Sequence, residues 1–166
     1  RTGGGTSREV TAERDPDRRC ARLTLNGKIR GTKQELPVRD RGISGDTTAG
    51  VLQRLGTITS ARPAAVFLLI GTNELGPALD PAPSLARQRE ILARIRRESP
   101  DTRVFVQSLL PRAVALRERV EGYNAALREI CREAGVGFID LYPAFLAADG
   151  SLRDELTFDE LHLNGA

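Results

Sequence analysis

The feature that most constrains this chain is the unbroken apolar run Ala64-Ala65-Val66-Phe67-Leu68-Leu69-Ile70, which stops abruptly at Gly71. It is far shorter than the ~20 residues a membrane helix needs. It also lacks the polar alternation of a strand with one wet face. What remains is a strand covered on both faces, the habit of parallel sheets. No longer apolar stretch occurs elsewhere, so the sequence carries no spanning segment.

The flanking pattern supplies the rest of a parallel sheet. Residues 37–43 read as a short strand closed by Ser44 and Gly45, after which Asp46 or Thr47 caps a helix with Val51, Leu52 and Leu55 inward. Residues 84–98 read as a helix whose inner face is Leu85, Ile91, Leu92 and Ile95, with Pro100 beyond its end. Residues 102–110 give the next strand, through Val104, Phe105 and Val106. Leu116, Val120, Tyr123, Leu127, Ile130, Cys131 and Ala134 then recur at spacings of three and four, and Gly135 ends that helix. Residues 136–141 form a last buried strand, followed by a polar C-terminal loop. Alternating strands and helices imply right-handed crossovers and an α/β fold, a three-layer α/β/α sandwich around a parallel sheet.

Composition sets further limits. At 166 residues, 40% hydrophobic and 28% charged, the chain suits one globular domain. Residues 1–36 differ from the remainder. Up to residue 34 the only apolar side chains are Val10, Ala12, Cys20, Ala21, Leu23, Leu25 and Ile29, without strand or helix period. We expect an irregular segment over 1–36 and the folded domain over 37–166. The chain opens at Arg1 and contains no Met, so we expect its native start to lie elsewhere. No export signal is visible. With Cys20 and Cys131 in no paired spacing, the expectation leans to the cytoplasm. One His and no clustered thiols leave no first shell for a metal. A pI near 9.3 invites a nucleic-acid reading. The net charge is only +3, however, and 4% aromatic content gives no base-stacking platform, so no nucleic-acid partner is expected.

In doubly wound sheets, ligands sit beyond the carboxyl ends of the strands. Three polar loops fall there: Gly42-Ile43-Ser44-Gly45-Asp46-Thr47-Thr48, Gly71-Thr72-Asn73-Glu74, and Asp159-Glu160-Leu161-His162-Leu163-Asn164. Each has a plain structural reading. Gly45 lets the chain turn, Asp46 caps a helix, Asn73 bonds a turn, and Asp159 and His162 form a solvated pair. Together, and in this order, they offer a backbone N–H, an amide donor and an acid three residues before the sole histidine.

These blocks resemble those of the SGNH (GDSL-type) esterase and lipase superfamily. The segment from Arg41 to Thr48 is similar to its second block, Gly71-Thr72-Asn73-Glu74 to its third, and Asp159-Glu160-Leu161-His162 to its last. The resemblance covers residues 37–166 and implies a flavodoxin-like sandwich. It also implies an acyl-transfer site acting on a small-molecule ester, with no cofactor. His162 would be the general base, Asp159 would orient it, and the Gly45 N–H and Asn73 amide would be oxyanion donors. Glu74 stands where the family usually has Asp, a position that mostly organises its loop. At the C-terminus, the family normally continues past Asn164-Gly165-Ala166 into a closing helix.

The first block departs furthest. The family carries Gly-Asp-Ser after an apolar strand, and that Ser is its nucleophile; no Gly-Asp-Ser occurs here. Gly5-Thr6-Ser7 is the nearest match, which makes Ser7 the candidate nucleophile, although nothing apolar precedes Gly5. Either the first strand has been cut away, or residues 1–36 are an altered reading and the nucleophile is lost. Ser44, Ser60, Ser84, Ser99, Ser108 and Ser151 lie in loops, on a strand or at helix edges and fit the role less well. Three classes of function follow: an ester hydrolase using Ser, His and Asp; an inert or binding domain on the same scaffold; and a flavin or nucleotide domain. The last is disfavoured because no Gly-rich phosphate loop follows a recognisable strand.

Overall fold

The computed structural model describes residues 39–164. Their sheet has three parallel strands, β1 (Ala65–Leu68), β2 (Arg103–Gln107) and β3 (Gly137–Ile139), in the order β1-β2-β3. Val66 is in register with Val104, and Leu68 and Phe138 both with Val106, so these side chains share one face.

Three helices cover that face. The first, α1 (Thr48–Arg54), starts where Thr47 accepts the Gly50 N–H on its hydroxyl at 3.3 Å. Of the two expected caps, Thr47 is the one used. A short turn of helix, α2 (Gly56–Thr59), follows. Val51 and Leu55 pack on Ile91 and Ile95 of α3 (Ala82–Glu98), with Leu68, Ile70 and Val104 beneath them. The helix α4 (Arg117–Ala134) brings Val120, Tyr123, Leu127, Ile130 and Cys131 onto Leu92 and Val106 in the larger core. It ends as the sequence reading expects: Gly135 is left-handed at φ +65°, and the Val136 N–H returns to Cys131 O at 3.0 Å. Burying a Leu such as Leu127 in this seam is worth ~2–5 kcal/mol against Ala.

One expectation is corrected, and another reaches beyond the described residues. No strand forms over residues 39–43, the described part of the expected 37–43; Pro37 and Val38 lie outside the described residues. All five are exposed, and Asp40 turns the chain by accepting the Gly42 N–H at 2.8 Å, so no apolar face is available to join a sheet. The apolar run, for its part, is not covered on both sides among the described residues. Among those residues β1 is an edge strand, and Phe67 is 63% exposed, stacked on Phe105 with ring centroids 5.1 Å apart. Phe67, Phe105 and Gly137 share the face away from the helices, and a Cβ on Gly137 would fall 2.6 Å from the Phe105 ring.

The C-terminal stretch is more ordered than a polar loop. After β3, Ser108 Oγ accepts the Leu141 and Tyr142 N–H groups at 2.9 and 3.0 Å and opens α5 (Tyr142–Phe145). Antiparallel bridges Leu146–Leu152 and Thr157–Leu163 fold the remainder back on itself. No described helix is long and apolar enough to cross a membrane.

Candidate active site

Of the three polar loops, the one from Gly71 to Glu74 follows β1, and it is joined directly to the first. The Asp46 N–H closes a turn onto Ile43 O at 3.2 Å, with Gly45 third in that turn at φ +71°, a conformation that favours glycine. No described acceptor takes the Gly45 N–H. The Asp46 carboxylate turns away to bind the Arg54 guanidinium, whose Nε donates at 3.1 Å. Its backbone carbonyl accepts instead from Asn73 Nδ2 at 2.8 Å. That bond places the Asn73 amide beside the Gly45 turn and leaves its second N–H for another acceptor.

Asn73 is held from below. β1 leaves the sheet through Gly71 at φ +122°, and a Cβ there would stand 2.6 Å from the Tyr123 hydroxyl. A single 3₁₀ turn, Thr72–Glu74, follows. Under it, Gln88 Nε2 donates to Ile70 O at 2.9 Å, and the Tyr123 hydroxyl pairs with Ser84 Oγ at 2.7 Å. Burial pushes the Tyr123 phenol pKa upward. Glu74 does more than shape its loop. Its carboxylate accepts both the N–H and the hydroxyl of buried Thr48, at 2.7 and 2.8 Å, and pairs with Arg87 at 3.2 Å. It thereby sits at the positive start of α1.

The third loop holds the acid and the histidine. His162 Nδ1 lies 2.7 Å from Asp159 Oδ2, while Asp159 Oδ1 accepts the backbone N–H groups of His162 at 2.8 Å and Leu161 at 3.2 Å. These bonds, the His162 N–H first and the imidazole second, hold the Asp159 carboxyl down at about 2. The pair is half-open to solvent, with 31% of the His162 side chain and 53% of the Asp159 side chain exposed. With Nδ1 engaged by Asp159, Nε2 has no hydrogen-bond partner among the described residues. Among the described residues, no hydrogen bond runs from this pair to Gly45 or Asn73. Nearer the Asn73 loop, the Leu152 N–H donates to Arg112 O at 3.3 Å, and the Arg112 guanidinium donates to Thr72 O at 3.1 Å. Desolvation lowers the pKa of Arg112.

Ser7 lies outside the described residues. Among those described, no three His, Cys, Asp or Glu side chains cluster to hold a metal. The sequence reading missed Thr48, Arg112 and Thr157. Thr157 donates its hydroxyl to His162 O at 2.7 Å. A threonine two residues before an Asp is a common local turn former, and that was the only available signal.

A parallel sheet with helices packed on it defines an α/β protein. The chain belongs to the GDSL-like lipase/acylhydrolase family, whose model matches residues 5–166. Among curated relatives it is 33% identical over 133 residues to the platelet-activating factor acetylhydrolase IB subunit alpha1 of Bos taurus, covering 74% of this chain and 55% of that protein. It is 32% identical over 130 residues to the alpha2 subunit of Gallus gallus, covering 74% and 56%. The chain thus spans about half the length of these relatives. In fold it is similar to a GDSL-like lipase from Bacteroides thetaiotaomicron, with TM-score 0.67 and 20% identity over 75% of this chain and 66% of that one. It is likewise similar to an acetyl xylan esterase, with TM-score 0.64 and 20% identity over 74% and 71%.

Proposed function

We propose that this protein hydrolyses carboxylic esters through an acyl-enzyme, with His162 as general base, Asp159 as its orienting acid and Ser7 as nucleophile. The observation that carries the reading is the Asp159–His162 hydrogen bond of 2.7 Å, made through Nδ1 and so directing Nε2 outward. In the first step Nε2 takes the serine proton as Oγ bonds to the ester carbon. The carbonyl oxygen becomes an oxyanion, received by the Gly45 N–H and the second Asn73 N–H. Collapse breaks the ester C–O bond, and the proton on Nε2 passes to the leaving alcohol. Water, deprotonated by the same nitrogen, then releases the acid and restores the serine. Preformed donors at the oxyanion supply the largest share of such a rate enhancement.

The substrate class proposed is a small ester with a short acyl group. What supports it is that the matched relatives are named as acetylhydrolases. The test is labelling with a fluorophosphonate, followed by mass spectrometry to locate the adduct. The expected result is an adduct on Ser7 that disappears in His162→Ala. Absence of any adduct on the folded chain overturns the hydrolase reading. It would leave an inert scaffold with its base and oxyanion donors in place, the second class of function considered for the sequence.

A further inference from the structure

We infer that Thr157 is a positioning residue for the Asp159–His162 pair, its hydroxyl fixing the backbone of both; the inference rests on the reading of His162 as the base. Thr157 is only 7% exposed, although the pair it serves is half-open to solvent. Its hydroxyl has one proton to give, and the nearest acceptor is His162 O at 2.7 Å. Asp159 Oδ1, at 3.4 Å, is a longer alternative. The same oxygen accepts the Asp159 N–H at 3.3 Å. One buried group therefore holds the amide of the acid and the carbonyl of the base.

The turn between them needs such a hold. Glu160 sits at φ +59°, in the left-handed region that a non-glycine residue enters at a cost of ~1–3 kcal/mol and keeps only where its surroundings fix it. Asp159 Oδ1 secures the inside of the turn by accepting the Leu161 and His162 N–H groups. Those bonds orient the carboxylate, but they do not fix the loop relative to the chain before it. Thr157 does so from both directions. Its hydroxyl reaches forward to His162, and the Thr157–Leu163 bridge aligns its backbone with the strand segment leaving the turn. Removing the hydroxyl strips the partners from Asp159 N and His162 O together. The imidazole then loses the register that keeps Nδ1 on Asp159 Oδ2.

His162 is the only histidine of the chain, so its ring nitrogens are read directly by ¹⁵N NMR. In the full chain with a neutral ring, the expected spectrum shows a protonated Nδ1 and a bare Nε2. Thr157→Val, close in shape but without the oxygen, is expected to shift the ring toward the Nε2–H form that an unrestrained imidazole prefers. Thr157→Ser is expected to restore the original spectrum. On a short-chain nitrophenyl ester, Thr157→Val should lower kcat by ~10–100-fold with KM little changed, since small misplacements of catalytic groups cost on this order. Thr157→Ser should recover most of it. A folded Thr157→Val with the unaltered tautomer overturns the inference. So does unfolding of both Thr157→Val and Thr157→Ala, which would give the hydroxyl a role in the whole fold rather than at the pair. If the unaltered chain hydrolyses no ester, the proposed function fails while the tautomer comparison still decides the role of Thr157.

Discussion

The carboxylate of Glu74 grips the first residue of α1, taking the backbone N–H of Thr48 at 2.7 Å on one oxygen and its hydroxyl at 2.8 Å on the other. The two residues lie 26 positions apart and join the loop that presents Gly45 to the turn that presents Asn73. Charge-assisted bonds to a buried partner are worth ~1.5–3 kcal/mol each, and Glu74 also meets the helix dipole. Glu74→Ala should therefore cost ~2–4 kcal/mol in urea unfolding, because it leaves a buried hydroxyl and an N–H without acceptors. Glu74→Gln should cost less. A stability unchanged within ~0.5 kcal/mol would mean water replaces the carboxylate at no loss.

Gly71 presents two separable obstacles to a side chain. At φ +122° an L-residue is strained, and its Cβ would meet the Tyr123 hydroxyl at 2.6 Å. We predict that Gly71→Ala destabilises by ~2–4 kcal/mol, through the backbone conformation and the clash together. Adding Tyr123→Phe removes the clashing oxygen but not the dihedral, so the double variant should recover only part of the loss. Full recovery would assign the whole cost to the hydroxyl.

Asn73 spends one amide proton on Asp46 O and has one left. In an active chain, Asn73→Ala should lower kcat by ~10²–10³, the cost of a lost oxyanion donor. Stability should fall by only ~1 kcal/mol, the value of one ordinary hydrogen bond. Steady-state kinetics paired with thermal unfolding separates the two. Equal rates in both forms would remove Asn73 from the oxyanion site.

Asp159 titrates well below an ordinary carboxyl, at about 2 against a reference of 3.8. Its folded pKa is depressed, so the contribution of the loop to stability is fully present above about pH 4 and is lost as pH falls through about 2. A ¹³C carboxyl titration should find Asp159 ionised at pH 3. A midpoint near 4 would show that the His162 backbone and ring bonds do not persist in solution.

Cys131 is buried in the seam between α4 and the sheet, and burial pushes its thiol up to about 11. At pH 8 it should remain unalkylated by iodoacetamide in the native protein and react fully once unfolded in guanidinium. Rapid native labelling, located by peptide mapping, would indicate that the seam opens on the labelling timescale.

Much of this architecture was legible in the residues. The three- and four-residue spacing from Leu116 to Cys131 can only be an amphipathic helix, and Gly135 ends it because a left-handed residue must follow. The Asp159–His162 pairing was readable because its partners lie three residues apart, within one turn. The strand expected at 37–43 does not form over its described residues 39–43, where Arg39, Asp40 and Arg41 gave it no face to bury.

Local sequence thus determined the helices, the buried character of the sheet's helical face and the Asp159–His162 turn, because those depend on neighbours a few positions away. Tertiary structure decided what distant residues share. Among the described residues it left Phe67 exposed, although its apolar run looks alike throughout. It also set Asn73 against Asp46, 27 positions earlier, and Glu74 against Thr48. Hydrogen bonds of this kind need two loops brought within 3 Å by the packing of α1 and α3 on β1 and β2. No periodicity in either loop encodes that approach, since it arises only when the shared core between the helices closes.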